Sequence, residues 1–280
     1  MPVASVRGVH INYEVLGSSG PWVALMPGGR RAMGGVRTLG ERIAAGGYRV
    51  LLHDRRNCGA SDVVIDGSEP EYSFWADDLH ELLLQLGATS VWVGGGSSGC
   101  RLSLVFALRY REMTAGLLLW RITGGTFAAN RLNKQYYLNY IALAREGGMA
   151  AVCASEHFAE CIRVRPQNRE RLMAMDPQRF IAAMESWSRQ FMQGADAPVI
   201  GASEQELRSI RVPACVIPGN DKTHLGEVGE TLQRLLPVSE LHVLYPEHQD
   251  VDMVPPAEWD RKLPEQAAVF LDFMKRHSLG

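Results

Sequence analysis

No apolar run in the chain approaches the ~20 residues needed to span a bilayer. The N-terminus also lacks the charged start and apolar stretch of a secretion signal. Neither an integral membrane protein nor a secreted one is expected. An excess of one charge is missing too, since 29 Lys+Arg stand against 31 Asp+Glu for a formal net charge of −2. Doublets such as Arg30-Arg31 and Arg55-Arg56 are too short to form a basic tract, and no nucleic-acid partner is expected. The five cysteines make no CxxC pair and no metal-ligand spacing with histidine. Their odd number, without a signal, points to reduced thiols in a cytoplasmic protein. Repeats and low-complexity segments are absent. What is present is core material: 46% of 280 residues are hydrophobic, enough for one large domain or two smaller ones.

Short β-rich runs alternate with longer helical patterns, which predicts a mostly parallel sheet flanked by helices. His10 to Val15 alternates like a half-buried strand and is expected to pair with Ser5-Val6-Arg7 in an opening hairpin. Trp22-Val-Ala-Leu-Met26 is a continuous apolar run leading into Pro27-Gly28-Gly29, as expected of a buried strand entering a loop. Strands are also expected at Tyr48–Asp54, Ser90–Gly94, Ala115–Trp120, Val212–Ile217 and Glu240–Leu244. Helical spacing marks 73–86, a stretch from Leu102 and the C-terminal segment around Phe270. Between about Gly124 and Gly201 only amphipathic helical stretches occur. The expected organisation is therefore a core of residues 1–123 and 202–280, with 124–201 inserted as a helical cap.

One motif carries chemistry. Gly95-Gly96-Ser97-Ser98-Gly99 stands between a strand and a helix, as in the G-x-S-x-G nucleophile elbow. There a serine sits on a turn so tight that its neighbours must be small. Its Oγ is presented at the carboxyl end of the sheet, at the N-terminus of the next helix, which favours negative charge. The same residues spell Gly94-x-Gly96-x-x-Gly99, a dinucleotide-loop string. That alternative wants the first β-α unit of the chain and an acidic residue about 20 positions on. Several strands come first here, and Trp120-Arg121 occupies the acidic place.

These residues resemble the α/β-hydrolase superfamily, and the resemblance extends over nearly the whole chain. The fold it implies is an α/β sandwich with a mostly parallel sheet and an inserted helical cap. The family order of nucleophile, acid and histidine implies Ser97 as nucleophile. Asp221, in Pro218-Gly-Asn-Asp-Lys-Thr-His224, would be the acid, with Asp250 and Asp252 close by as alternatives. His248, after the last expected strand, would be the general base. His224 is read as a solvated loop residue or a supporting group. The resemblance also implies an oxyanion hole from the N–H groups of Ser98 and Gly29, the latter in Pro27-Gly28-Gly29 where the family often has His-Gly-x. Asp54-Arg-Arg-Asn57-Cys-Gly-Ala-Ser61 is similar to the family's D-x-R-G-x-G-x-S loop, with Asn57 in place of glycine, and is read as structural.

The implied activity is hydrolysis of a carboxylic ester or lactone through an acyl-enzyme, with no cofactor and no metal. Carbon–carbon bond hydrolysis of ring-cleavage dienone acids is the runner-up. A non-catalytic small-molecule receptor on the same fold is the reading from another class. Arg30, Arg31 and Arg121 are candidate substrate contacts, since an arginine beside the site can clamp a carboxylate. Aromatic and sulfur-bearing residues of 124–201, such as Tyr136, Trp187 and Phe191, could line a pocket, though most are expected to form the cap's own core. The expected partner is a small carbonyl substrate, and a homodimer is the one assembly kept open.

Overall fold

A computed structural model describes residues 2–277. Among these residues eight strands form a single sheet in the order β1-β2-β4-β3-β5-β6-β7-β8. They are β1 (Val3–Val6), β2 (Val9–Leu16), β3 (Trp22–Met26), β4 (Arg49–His53), β5 (Val91–Gly96), β6 (Thr114–Trp120), β7 (Ala214–Ile217) and β8 (Ser239–Leu241). The first two join as an antiparallel hairpin, and β2 runs antiparallel to β4. From β4 through β8 every pairing is parallel. The chain crosses from β3 to β4 on one side, while β5 pairs with β3 on the other. The loops after β3 and β5 therefore face each other across the switch in strand order, where open α/β sheets form ligand sites.

The continuous apolar runs are fully buried because both faces of the sheet are covered. Residues alternate between two cores as the strand period of two requires. Trp22, Ala24 and Met26 join the core that contains Phe74, Leu79, Leu102 and Phe106. Val23 and Leu25 join the other, with Leu39, Ile43, Phe270 and Phe273. The first core is closed by α2 (Glu71–Gln85) and α3 (Ser98–Arg109), the second by α1 (Arg37–Ala45) and the C-terminal helix Leu263–His277. Burying the larger apolar side chains stabilises the fold by about 1.5–3 kcal/mol each.

Between β6 and β7 come α4 (Gly125–Asn133), α5 (Asn139–Ala154), α6 (Glu156–Val164), α7 (Gln167–Met173) and α8 (Pro177–Met192). One π-helical turn, Lys134–Leu138, joins α4 to α5. Phe158, Phe180, Met184 and Trp187 are buried among these helices, while Phe127 is exposed. The short α9 (Glu204–Ser209) precedes β7, and α10 (Gly226–Leu235) follows it. The expected strand Glu240–Leu244 is much shorter as formed: β8 ends at Leu241, and 242–255 carries no helix or strand. After it come α11 (Pro256–Asp260) and α12, the C-terminal helix Leu263–His277. Among the described residues no helix is long and apolar enough to cross a membrane.

Candidate active site

Ser97 occupies the turn between β5 and α3 with φ 54° and ψ −113°, a left-handed conformation that strains a non-glycine residue by about 1–3 kcal/mol. Neighbouring contacts hold it there. Its N–H is shared between the carbonyls of Trp120 (3.0 Å) and Arg121 (3.1 Å). The flanking glycines are demanded by space: a Cβ on Gly95 would stand 2.2 Å from the Gly99 carbonyl carbon, and one on Gly99 would stand 2.4 Å from the Met26 oxygen.

Asp221 follows β7 and is completely buried. Its Oδ1 accepts from the backbone N–H groups of Thr223 (3.0 Å) and His224 (2.8 Å), an Asx-type turn that folds the loop back on the carboxylate. The same oxygen is 2.8 Å from His224 Nδ1. Because an ionised carboxylate only accepts, the Nδ1 of a neutral His224 carries the proton. His224 Nε2 then accepts from Ser97 Oγ at 3.0 Å. Oδ2 accepts from the Val254 N–H (2.9 Å) and, more loosely, from Arg121 Nη2 (3.5 Å). Burial by itself would raise the Asp221 pKa, but the His224 hydrogen bond and charge, the Val254 amide and Arg121 outweigh it and hold the carboxyl at about 2. Burial lowers the His224 pKa; Asp221 opposes this and Arg121 adds to it.

The histidine expected from the sequence is elsewhere. His248 is exposed in the segment after β8, and among the described residues no hydrogen bond links it to Ser97. The short β8 gives no rigid strand end from which to aim a side chain at Ser97. His224, read from the sequence as a loop residue, stands on Ser97 instead. Its signal was present in the Asp-x-x-His spacing, which lets one turn set the carboxylate and the imidazole together. Among the described residues neither the Asp250 nor the Asp252 carboxylate is bonded to His224 or Ser97. Asp250 is exposed and paired with Lys222 (2.8 Å), and the Asp252 carboxylate stands 4.0 Å from Arg131.

Ser97 and His224 open on a pocket of about 250 Å³, also lined by Gly29, Arg31, Arg121 and Tyr136. Gly29 takes a left-handed φ of 57°, which turns the loop after β3 toward Ser97. Among the described residues neither the Gly29 nor the Ser98 N–H has a hydrogen-bond acceptor. Behind them, the buried Arg55 guanidinium donates to the carbonyl of Gly29 (2.7 Å) and reaches Ser98 Oγ (3.4 Å). It also lies over Trp75, 4.5 Å from the ring centre. Arg55 thus ties the loop after β3 to the residue after the serine.

Of the three arginines singled out from the sequence, Arg31 and Arg121 line the pocket and Arg30 does not. Arg30 turns inward to an ion pair with Glu71 (2.9 Å), surrounded by the rings of Tyr136, Tyr137 and Tyr140 at 5.3–5.8 Å. A cation this buried is held by its partner carboxylate and the aromatic faces. Glu71 lies far along the chain, and local patterning could not reveal the pair. Arg121 also has positive φ (51°), and its guanidinium lies 4.7 Å over Trp259. Asn57, at the glycine position of its loop, adopts φ 68°, a left-handed conformation asparagine tolerates better than most residues.

Residues 16–119 match the family model for the alpha/beta hydrolase fold. An uncharacterised hydrolase of Bacillus subtilis (strain 168), YraK, is 34% identical over 112 residues, which are 38% of this chain and 39% of that protein. The aligned stretch is thus well under half of that relative. An enol-lactonase from Burkholderia xenovorans LB400 superposes with a TM-score of 0.66 at 18% identity, over 98% of this chain and 100% of that one. A thermophilic esterase from Thermogutta terrifontis gives 0.65 at 19%, over 99% and 98%. A meta-cleavage product hydrolase from Pseudomonas fluorescens IP01 gives 0.65 at 18%, over 97% and 98%. By sequence over residues 16–119 and by architecture over nearly its whole length, the chain is an α/β-hydrolase-fold protein.

Proposed function

We propose that the protein is a serine hydrolase that cleaves a carboxylic ester or lactone through an acyl-enzyme on Ser97. The observation that carries this reading is the hydrogen-bonded series Asp221–His224–Ser97, with links of 2.8 and 3.0 Å. Ser97 Oγ attacks the acyl carbon while His224 Nε2 takes its proton. Asp221 holds the imidazole and stabilises its charged form. The negative oxygen is received by the Gly29 and Ser98 N–H groups. His224 then protonates the departing alkoxide, leaving the acyl group on Ser97. Water, deprotonated by His224, attacks that ester and restores the serine. Residues 124–201 act as the cap over this pocket. All five cysteines are free thiols, which suits a reducing compartment.

The resemblance in fold to an enol-lactonase and an esterase is in keeping with this reading. Carbon–carbon cleavage of a dienone acid uses the same residues, and it is favoured by Arg31 and Arg121 in the pocket, where they could bind a substrate carboxylate. Turnover of p-nitrophenyl acetate and a panel of lactones and dienone acids separates the two.

Incubation with a fluorophosphonate should add one phosphonyl group, mapped to Ser97 by peptide mass spectrometry and missing from Ser97→Ala. A folded protein that takes up no label, or labels equally after Ser97→Ala, sinks the enzymic reading and favours a receptor. A second expectation concerns pH. A general base must be neutral, and the His224 environment lowers its pKa below the ordinary 6.5. Activity should therefore persist below pH 6.5 and fall only at lower pH, as the imidazole charges. An acidic limb of kcat/KM centred at or above 6.5 would contradict this description of the histidine's surroundings.

A further inference from the structure

We propose that the Tyr136 hydroxyl is a third donor to the developing oxyanion, beside the Gly29 and Ser98 amides, and hence a catalytic residue. This rests on the hydrolytic reading above. Tyr136 stands on the π-helical turn Lys134–Leu138, an element that recurs at functional sites because its wider winding re-aims side chains. There it reaches the pocket that also holds Ser97, His224 and Gly29. A Cβ built on Gly29 would lie 3.6 Å from the phenolic oxygen. The hydroxyl therefore hangs over the loop whose N–H is to receive the oxyanion.

Two contrasts separate this tyrosine from its neighbours. Tyr137, next in the chain, donates its hydroxyl to Glu71 at 3.1 Å. Tyr136 is only 6% exposed as a residue, yet its hydroxyl has no hydrogen-bond partner among the described residues and is left open to the pocket. A hydroxyl left open at a pocket wall is free to donate to a ligand oxygen that arrives there. The ring cannot swing away freely, since it packs edge-on against Tyr137 (6.3 Å, 83°) and Phe191 (6.5 Å, 86°). Burial drives the phenol pKa up, so the group stays protonated and able to donate at any working pH. A donor held in place before reaction stabilises new charge with little reorganisation.

The test compares wild type, Tyr136→Phe and Ser97→Ala in pre-steady-state acylation by p-nitrophenyl acetate and in the rate of fluorophosphonate labelling. Phenylalanine keeps the ring packing, and its Tm should match wild type. The phenylalanine variant should acylate on the order of 10²-fold more slowly, the loss expected of one oxyanion donor. The loss should fall in kcat, with KM little changed. Binding of phenylboronic acid, whose tetrahedral serine adduct carries a charged oxygen, should weaken in parallel. Acylation by Tyr136→Phe at the wild-type rate, or a loss confined to KM, overturns the role of Tyr136 while wild-type labelling leaves the hydrolase reading standing. A wild-type protein that never labels overturns both.

Discussion

His224→Ala is expected to lower kcat for p-nitrophenyl acetate by on the order of 10⁵-fold or more, because serine and histidine act as a unit whose loss is nearly total. His248→Ala should leave kcat within a factor of two. The contrast follows from geometry: His224 Nε2 is 3.0 Å from Ser97 Oγ and buried, whereas His248 is exposed to solvent. The substitution should not unfold the loop, since the Asp221 carboxylate keeps the N–H groups of Thr223, residue 224 and Val254. Residual activity in the alanine variant should depend less steeply on pH, as its general base is gone. If His248→Ala instead abolished turnover while His224→Ala retained it, the 242–255 segment would have to close over Ser97 in the working enzyme.

Asp221→Asn is the second large effect, expected at about 10⁴-fold in kcat. The surroundings of the carboxylate make an asparagine unsatisfiable in either orientation. With its amide nitrogen in the place of Oδ1, it meets three donors: the Thr223 and His224 backbone N–H groups and the imidazole Nδ1. The imidazole would then flip tautomer and present an N–H, instead of a lone pair, to Ser97. With the nitrogen in the place of Oδ2, it faces the Val254 N–H and Arg121. The tautomer survives, but the loop around Val254 loses its anchor and the imidazolium loses its counter-charge. Either arrangement forfeits buried hydrogen bonds to a charged group, and the melting temperature should fall along with kcat. Steady-state kinetics and thermal unfolding on the same preparation decide the matter. An asparagine variant with near-wild-type turnover would remove Asp221 from the mechanism.

The elements that position the site were legible in the chain because each is specified locally. Trp22–Met26 and Ala115–Trp120 are apolar runs of strand length, and Gly95 and Gly99 are the small residues a serine turn requires. Asp221 was legible for the same reason, as a carboxylate placed after an apolar strand. The histidine was misread because the expected order places it after the last strand. The choice between His224 and His248 depends on how far β8 extends and which loop turns inward, and those are tertiary facts. Arg30 was misread for a similar reason. Its inward turn is decided by Glu71 and three tyrosines brought in from α2 and the inserted helices. Tyr136 could not be told from Tyr137 on periodicity alone, because the π-helical turn shifts the phase at that point.

The acid and the imidazole come from a single turn, three residues apart, closed by that turn's own backbone N–H groups. Their alignment is therefore a property of a few consecutive peptide units. It does not require distant strands to meet. The segment after β8 is nonetheless tied to that turn, through the Val254 N–H on Asp221 Oδ2 and through the N–H groups of Lys222 and Thr223 on the carbonyls of Val251 and Asp252, so a change in its length alters the rim of the pocket and the bracing of the turn together.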